Sequence, residues 1–166
     1  YRWERMAAED YAWWAERVKR VLAHCDIVRI DHFRGFAGYW KIPASSPTAK
    51  VGRWVQGPRL ALFKAIEQQL GALPIIAEDL GLITPDVIEL IEGCGFPRMK
   101  VLCFGFGGDG THEFLPHNYA RNTIVYTTTH DTDTVRGWWD NAQASERHFA
   151  GAYLACDAND FHWAAI

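Results

Sequence analysis

The sequence lacks the features that mark several protein classes. No apolar run approaches the roughly 20 residues that cross a bilayer as a helix. The opening Tyr1-Arg2-Trp3-Glu4-Arg5 has no signal-peptide core. No membrane role is therefore expected. No basic block interrupts a chain of formal net charge −3, so no nucleic-acid partner is expected either. Serine is confined to Ser45, Ser46 and Ser145, and Gly-x-Ser-x-Gly is absent, which argues against a serine nucleophile. The histidines show neither His-x-His nor His-Glu-x-x-His spacing, so no catalytic metal is expected. Gly105 to Gly110 is glycine-rich but lacks the Lys-Ser/Thr of a phosphate-binding loop. Cys25, Cys94, Cys103 and Cys156 are widely spaced, with no Cys-x-x-Cys. They read as reduced structural thiols of a cytoplasmic protein rather than a disulfide framework or zinc site. An initiator Met is missing too, and the chain is expected to be an internal piece of something longer.

What is present is a globular composition. Hydrophobic residues make up 49% and charged residues 22% of 166, enough for one domain with a core. Eight tryptophans is an unusual number: some are expected to fill core, but Trp and Tyr also make flat amphipathic platforms that suit the apolar faces of sugar rings. Tyr11, Trp14, Val18 and Leu22 form one stripe of a helix over about 6–24. A strand is expected from Asp26 to Phe33, then a long loop over 34–56 holding Tyr39, Trp40 and Trp54. Gly57-Pro58 opens a helix carrying Leu62, Ile66 and Leu70. A short buried strand, Pro74 to Ala77, precedes a helix capped at Thr84-Pro85. Strands over Lys100–Phe106 and Thr123–Thr129 and helices over Val135–Asn141 and Ser145–Asp157 follow. This alternation predicts an α/β fold with a parallel sheet and crossover helices. A full (β/α)8 barrel takes about 250 residues, so a barrel reading makes this chain about half of one.

Three carboxylates stand where apolar, β-prone runs stop: Asp31, Glu78 and Asp131. Strand ends carry function in α/β folds, and glycosidic bond chemistry needs a carboxylate pair. Arg29 and Asp31 share a strand face, and a guanidinium there keeps a carboxylate ionised, as a nucleophile must be. The competing reading is a structural ion pair. Glu78 follows Ile75-Ile76-Ala77, and apolar surroundings favour the protonated form that a general acid needs. A capping role competes, and Asp79 is a second candidate cap. Asp131 beside His130 could hydrogen-bond sugar hydroxyls and stabilise an oxocarbenium-like transition state. Here the competing reading is a cap of the helix near Val135, from Asp131, Thr132 or Asp133.

At these residues the chain resembles the 4-α-glucanotransferases, also called amylomaltases or disproportionating enzymes, of the α-amylase clan. Arg29-Ile30-Asp31-His32-Phe33-Arg34-Gly35-Phe36 resembles the nucleophile motif, and Ile76-Ala77-Glu78-Asp79-Leu80-Gly81 the acid/base motif. Thr129-His130-Asp131 resembles the stabilising-acid motif. Tyr39-Trp40-Lys41-Ile42-Pro43-Ala44 and Gly52-Arg53-Trp54-Val55-Gln56-Gly57-Pro58 resemble the loop after the nucleophile. The likeness extends to Tyr1-Arg2-Trp3-Glu4, Trp13-Trp14 and Arg17. It implies part of a (β/α)8 TIM barrel, roughly strands 4 to 7 with their helices, with residues 1–166 as a partial catalytic domain and 34–56 as a long active-site loop. It implies Asp31 as nucleophile, Glu78 as acid/base and Asp131 as stabiliser, with Arg29 and His130 in support. Tyr39, Trp40 and Trp54 become candidate substrate-binding walls. No cofactor is implied, and the partners are α-1,4-glucans and maltooligosaccharides. Two departures stand out: Thr132 replaces the family's usual Asn, and Thr127-Thr128-Thr129 replaces Thr-Gly-Thr. The alternative is a catalytically silent barrel piece that self-associates through open strand edges and binds glucan weakly.

Overall fold

The first apolar stripe folds as two helices where one is expected. In the computed structural model, which describes residues 1–166, α1 spans Trp3–Ala8 and α2 spans Ala12–Leu22. The break is a Schellman turn: Tyr11 N–H donates to the Met6 carbonyl at 2.7 Å and Asp10 N–H to Ala7 at 3.1 Å. Asp10 and Tyr11 both adopt left-handed backbone, with φ of 49° and 53°. The strain at Tyr11 is offset by burial of its ring. The stripe survives the break, because Tyr11, Trp14 and Val18 are buried and Leu22 packs beside them.

β1, Val28–Ile30, is shorter than the expected strand. It leads into a 3-10 turn over Phe33–Phe36. The expected long loop is then largely an antiparallel hairpin: β2, Gly38–Lys41, pairs with β3, Arg53–Gln56. α3 covers Arg59–Leu70 and buries Leu62, Phe63 and Ile66. β4, Ile75–Ala77, returns parallel to β1 with Val28 opposite Ile75, Arg29 opposite Ile76 and Ile30 opposite Ala77. α4, Pro85–Cys94, buries Val87, Leu90 and Ile91. β5 runs Arg98–Val101, and residues Leu102–Gly107 coil as 3-10 helix instead of extending the strand. β6, Thr123–Tyr126, pairs with β5 and ends three residues before the expected Thr129. α5 (Val135–Asn141), α6 (Ala144–Leu154) and a short α7 (Phe161–Ala164) complete the chain. The class is mixed α/β, and no helix is long and apolar enough to cross a membrane.

The chain divides into two compact units, residues 1–98 and 99–166, each with its own core. In the first, Phe33, Phe36, Phe63 and Phe96 form an aromatic cluster, with the Phe33 and Phe63 rings stacked at 5.0 Å. Phe33 is wholly buried, so the backbone directly after β1 is anchored from below. In the second, Phe106 is the hub, touching Trp138, Phe149, Tyr153 and Phe161. Trp138 and Trp139 both pack on Phe161, which assigns this tryptophan pair to core packing.

Candidate active site

Asp31 and Glu78 follow the last paired residues of β1 and β4. Continuing that parallel register by one residue puts the two acids at equivalent positions on neighbouring strands. The backbone supports this, because Glu78 N–H donates to the Ile30 carbonyl and Phe33 N–H to the Glu78 carbonyl, each at 3.0 Å. His32, between Asp31 and the buried Phe33, takes left-handed backbone with φ 49° and ψ 51°. That twist turns the chain out of the strand direct into the 3-10 turn.

The Glu78 carboxylate is held by backbone. One oxygen accepts from His32 N–H at 2.6 Å and the other from Leu80 N–H at 2.6 Å. The residue is buried, and both oxygens have partners, so its orientation is fixed. Gly81 turns the chain away with φ 85°, a conformation open to glycine at no steric cost. Asp79 does not cap. Its side chain is fully buried and takes Arg98 Nε at 2.6 Å. Arg98 thus ties the Glu78 motif to the start of β5.

The expected Arg29–Asp31 pair forms, at 2.8 Å, with the Asp31 side chain 56% exposed. Both residues line a cavity of about 630 Å³ that also takes in His32, Tyr1, Trp3 and Tyr39. The cavity joins one ion pair to aromatic walls, a combination that can hold the polar edge and apolar face of a sugar together. The indole nitrogens of Trp3 and Trp14, further wall residues, are buried without a hydrogen-bond partner. Of the three aromatic residues expected as walls, Tyr39 lines this cavity. Trp54 lines a different groove, with Arg34 and Arg59. Trp40 meets Trp54 edge-on at 5.7 Å, and its indole N–H donates to the Ala49 carbonyl at 2.8 Å.

In the second unit the Thr129–Thr132 turn carries His130 and Asp131. The Thr132 hydroxyl donates to the Thr129 carbonyl at 3.1 Å and accepts from Thr129 N–H at 3.0 Å. It therefore closes the turn from its own side chain, which gives the residue in the Asn position a definite role. His130 Nε2 lies 3.4 Å from the Asp131 carboxylate, and both side chains are exposed. Helix α5 is capped by Thr134, whose hydroxyl accepts from Gly137 N–H at 3.1 Å. Asp133 accepts from Thr134 N–H at 2.8 Å. The cap falls to neither Asp131 nor Thr132.

Sequence reasoning missed what holds these segments: the His32 and Leu80 N–H groups on Glu78 and Arg98 on Asp79 in the first unit, and the Thr132 bridge in the second. A backbone donor has no residue signature, and nothing in the spacing links Asp79 to Arg98. Thr132 stood out by its departure from the family pattern, but its partner did not.

Comparison with known proteins places these residues in context. A protein-family model described as 4-alpha-glucanotransferase matches residues 1–166. The chain is 47% identical over 167 residues to the chloroplastic/amyloplastic 4-alpha-glucanotransferase of Arabidopsis thaliana, covering 100% of this chain and 29% of that protein. It is 48% identical over 157 residues to the 4-alpha-glucanotransferase of Thermus thermophilus, covering 93% of this chain and 31% of that protein. Among solved structures, the amylomaltase from Streptococcus agalactiae in complex with acarbose is similar with a TM-score of 0.89 and 40% identity, over 93% of this chain and 32% of that one. The chain thus spans about a third of the length of the relatives it matches.

Proposed function

The chain belongs to the 4-alpha-glucanotransferase family, and on that premise we propose that its protein transfers α-1,4-glucan segments between maltooligosaccharides with retention of configuration. Asp31 attacks the anomeric carbon while Glu78 protonates the departing glucan oxygen. A covalent glucosyl-enzyme results. Glu78 then deprotonates the 4-hydroxyl of an acceptor glucan, which opens the intermediate. Asp131 and His130 hydrogen-bond the sugar hydroxyls more tightly as the ring flattens. Arg29, paired with Asp31 at 2.8 Å, orients it. Tyr39 forms a wall of the reaction cavity, and Trp40 and Trp54 meet the glucan outside it.

The observation that carries this reading is the shared register of Asp31 and Glu78 at the ends of β1 and β4. Parallel neighbours lie about 4.8 Å apart. Retaining pairs need carboxyls about 5–5.5 Å apart, and inverting pairs about 6.5–9.5 Å. Adjacent strands at equal register suit the first spacing. The Streptococcus agalactiae relative was solved with acarbose, which supports an α-glucan as ligand class.

The same premise extends to the frame. β1, β4, β5 and β6 serve as strands four to seven of a (β/α)8 barrel, and segment 34–56 flanks its active site. The 166-residue piece self-associates through open strand edges, and the cytoplasm is its compartment.

Disproportionation of maltotriose tests the reaction. Both the 166-residue chain and a longer form extended at each end are assayed. Glucose plus longer maltooligosaccharides are expected from the longer form. Asp31→Asn and Glu78→Gln are expected to lower the rate by about three orders of magnitude or more, as losing a nucleophile or an acid/base group does. Full activity in either variant would remove that residue from the mechanism. No products from either length would reject the transferase and leave a glucan-binding piece.

A further inference from the structure

We infer that Arg34 is a positioning residue for the acid/base group: it clips together the two loops whose backbone N–H groups hold the Glu78 carboxylate. The inference rests on the proposed role of Glu78 and adds what keeps that carboxylate aimed. One Glu78 oxygen takes the N–H of His32, in the turn after β1, and the other takes the N–H of Leu80, in the loop after β4. Neither donor belongs to a helix or strand. The aim of the carboxylate therefore depends on how two irregular segments are held against each other. Arg34 lies two residues beyond His32, and its Nη1 donates at 3.0 Å to the carbonyl of Leu82, two residues beyond Leu80. One side-chain hydrogen bond thus closes the same gap that the carboxylate spans.

Arg34 is a rigid arm. Its root is the 3-10 turn Phe33–Phe36, in which Phe33 and Phe36 are both buried. Gly35 N–H donates to the His32 carbonyl at 3.0 Å and Ala37 N–H to the Arg34 carbonyl at 2.9 Å, so the backbone at Arg34 is closed on both sides. Its head is covered by Trp54, whose ring centre lies 4.8 Å from the guanidinium carbon, and Trp40 braces that ring edge-on at 5.7 Å. A planar guanidinium stacked in this way is pre-organised and loses little freedom on bonding. The receiving loop is looser. Asp79 is fixed by Arg98 at one end, and Ile83 packs on the core at the other. Between them lie Gly81, at φ 85°, and Leu82, 72% exposed. Glycine leaves the backbone free to turn, and an exposed leucine is a weak apolar hold. The Arg34 bond fastens this stretch. The side chain keeps its place at a cost, because Nε is buried without a hydrogen-bond partner. Local costs of that kind gather at functional sites.

The test separates proton transfer from the rest of the reaction, in the longer form of the enzyme. Disproportionation of maltotriose needs Glu78 twice, as acid and then as base. α-Maltosyl fluoride with azide needs it at neither step. Asp31 attacks the anomeric carbon as the C–F bond breaks, and fluoride leaves without taking a proton. Azide then displaces the Asp31 carboxylate to give α-maltosyl azide, bringing no proton to remove. Arg34→Ala is expected to lower kcat for maltotriose about ten- to a hundredfold, as misplacing a reacting group by about 1 Å does, with KM nearly unchanged. The fluoride–azide rate is expected to stay within about twofold of the parent's. Arg34→Lys keeps one donor of similar reach and is expected to recover most of the lost kcat. It also carries both assays if the alanine variant does not fold. Glu78→Gln, run alongside, is expected to show the same split with a deeper loss. Equal losses in both assays for the Arg34 variants would overturn the inference, since Arg34 would then support the fold and not Glu78. Full maltotriose activity in Arg34→Ala would overturn it too. A split seen in Glu78→Gln alone would reject the inference and leave the proposed function standing. No split in Glu78→Gln would remove Glu78 as acid/base and reject both.

Discussion

At the residue scale, the acids after β1 and β4 show how position separates chemistry from structure. Glu78 and Asp79 are consecutive and both buried, yet one is gripped by backbone N–H groups and the other by a guanidinium. Breaking a buried ion pair leaves a charge without its partner and costs about 3–5 kcal/mol. Arg98→Ala, which takes the guanidinium away from a fully buried carboxylate, is therefore expected to lower stability by about 3 kcal/mol, read as a lower urea midpoint. An unchanged midpoint would show that the Arg98 contact carries no stability. The thiols give a second expectation. Burial pushes Cys94 and Cys103 up to about 12, while Cys25 is exposed. Iodoacetamide at pH 8 is expected to label Cys25 first, read by peptide mass spectrometry. In the unfolded chain the same two thiols release their protons near 9.0. Their contribution to stability is whole below that pH and is lost as pH rises from about 9 toward about 12. Tyr119, raised from 10.0 to about 12 by burial, adds loss over the upper part of that window. A urea midpoint that falls steadily above pH 9 is expected, and a flat profile would contradict it.

At the scale of elements, the β2–β3 hairpin is the largest departure from expectation. Its segment is scattered with Gly, Pro and Ser, which reads as loop, and its strands are only four residues each. Pairing Tyr39 with Val55 and Trp40 with Trp54 makes them strands, and no local pattern announces a partner across that distance. Gly57 closes the hairpin against the 3-10 turn, donating to the Ala37 carbonyl at 3.0 Å. A Cβ there would run into the Phe36 carbonyl, and backbone cannot step aside as a flexible side chain can. Gly57→Ala is expected to cost about 1–3 kcal/mol, as overpacking does, measured by thermal melting. A melting temperature equal to the parent's would mean that the turn has room. The Leu102–Gly107 segment teaches a related point. A buried apolar run cannot be told from a strand by periodicity. Gly105, packed against the Phe114 carbonyl and the Leu115 side chain, shows that the run coils tightly instead.

For the whole molecule, each sheet has two strands and so keeps unpaired edges. Val21, before β1, is 42% exposed and Ile27, beside it, 57%. Apolar surface next to an open edge favours pairing with a second copy. Size-exclusion chromatography is expected to show apparent mass rising above 18.9 kDa with concentration. Ile27→Lys is expected to reverse that rise. A single monomer peak across a hundredfold range of concentration would reject self-association.

The sequence by itself determined the α/β class, the family and the helix faces. It also determined the Arg29–Asp31 pair, because residues two apart on a strand share a face. These rest on local periodicity and on short motifs, both of which are written along the chain. The tertiary structure decided what grips each acid: backbone N–H groups for Glu78, Arg98 for Asp79 and a threonine bridge beneath Asp131. It also decided that Tyr39 lines the Asp31 cavity while Trp54 lines another groove. Such partners are set by strand register and by packing between residues far apart in sequence, and neither leaves a trace in the order of neighbouring residues.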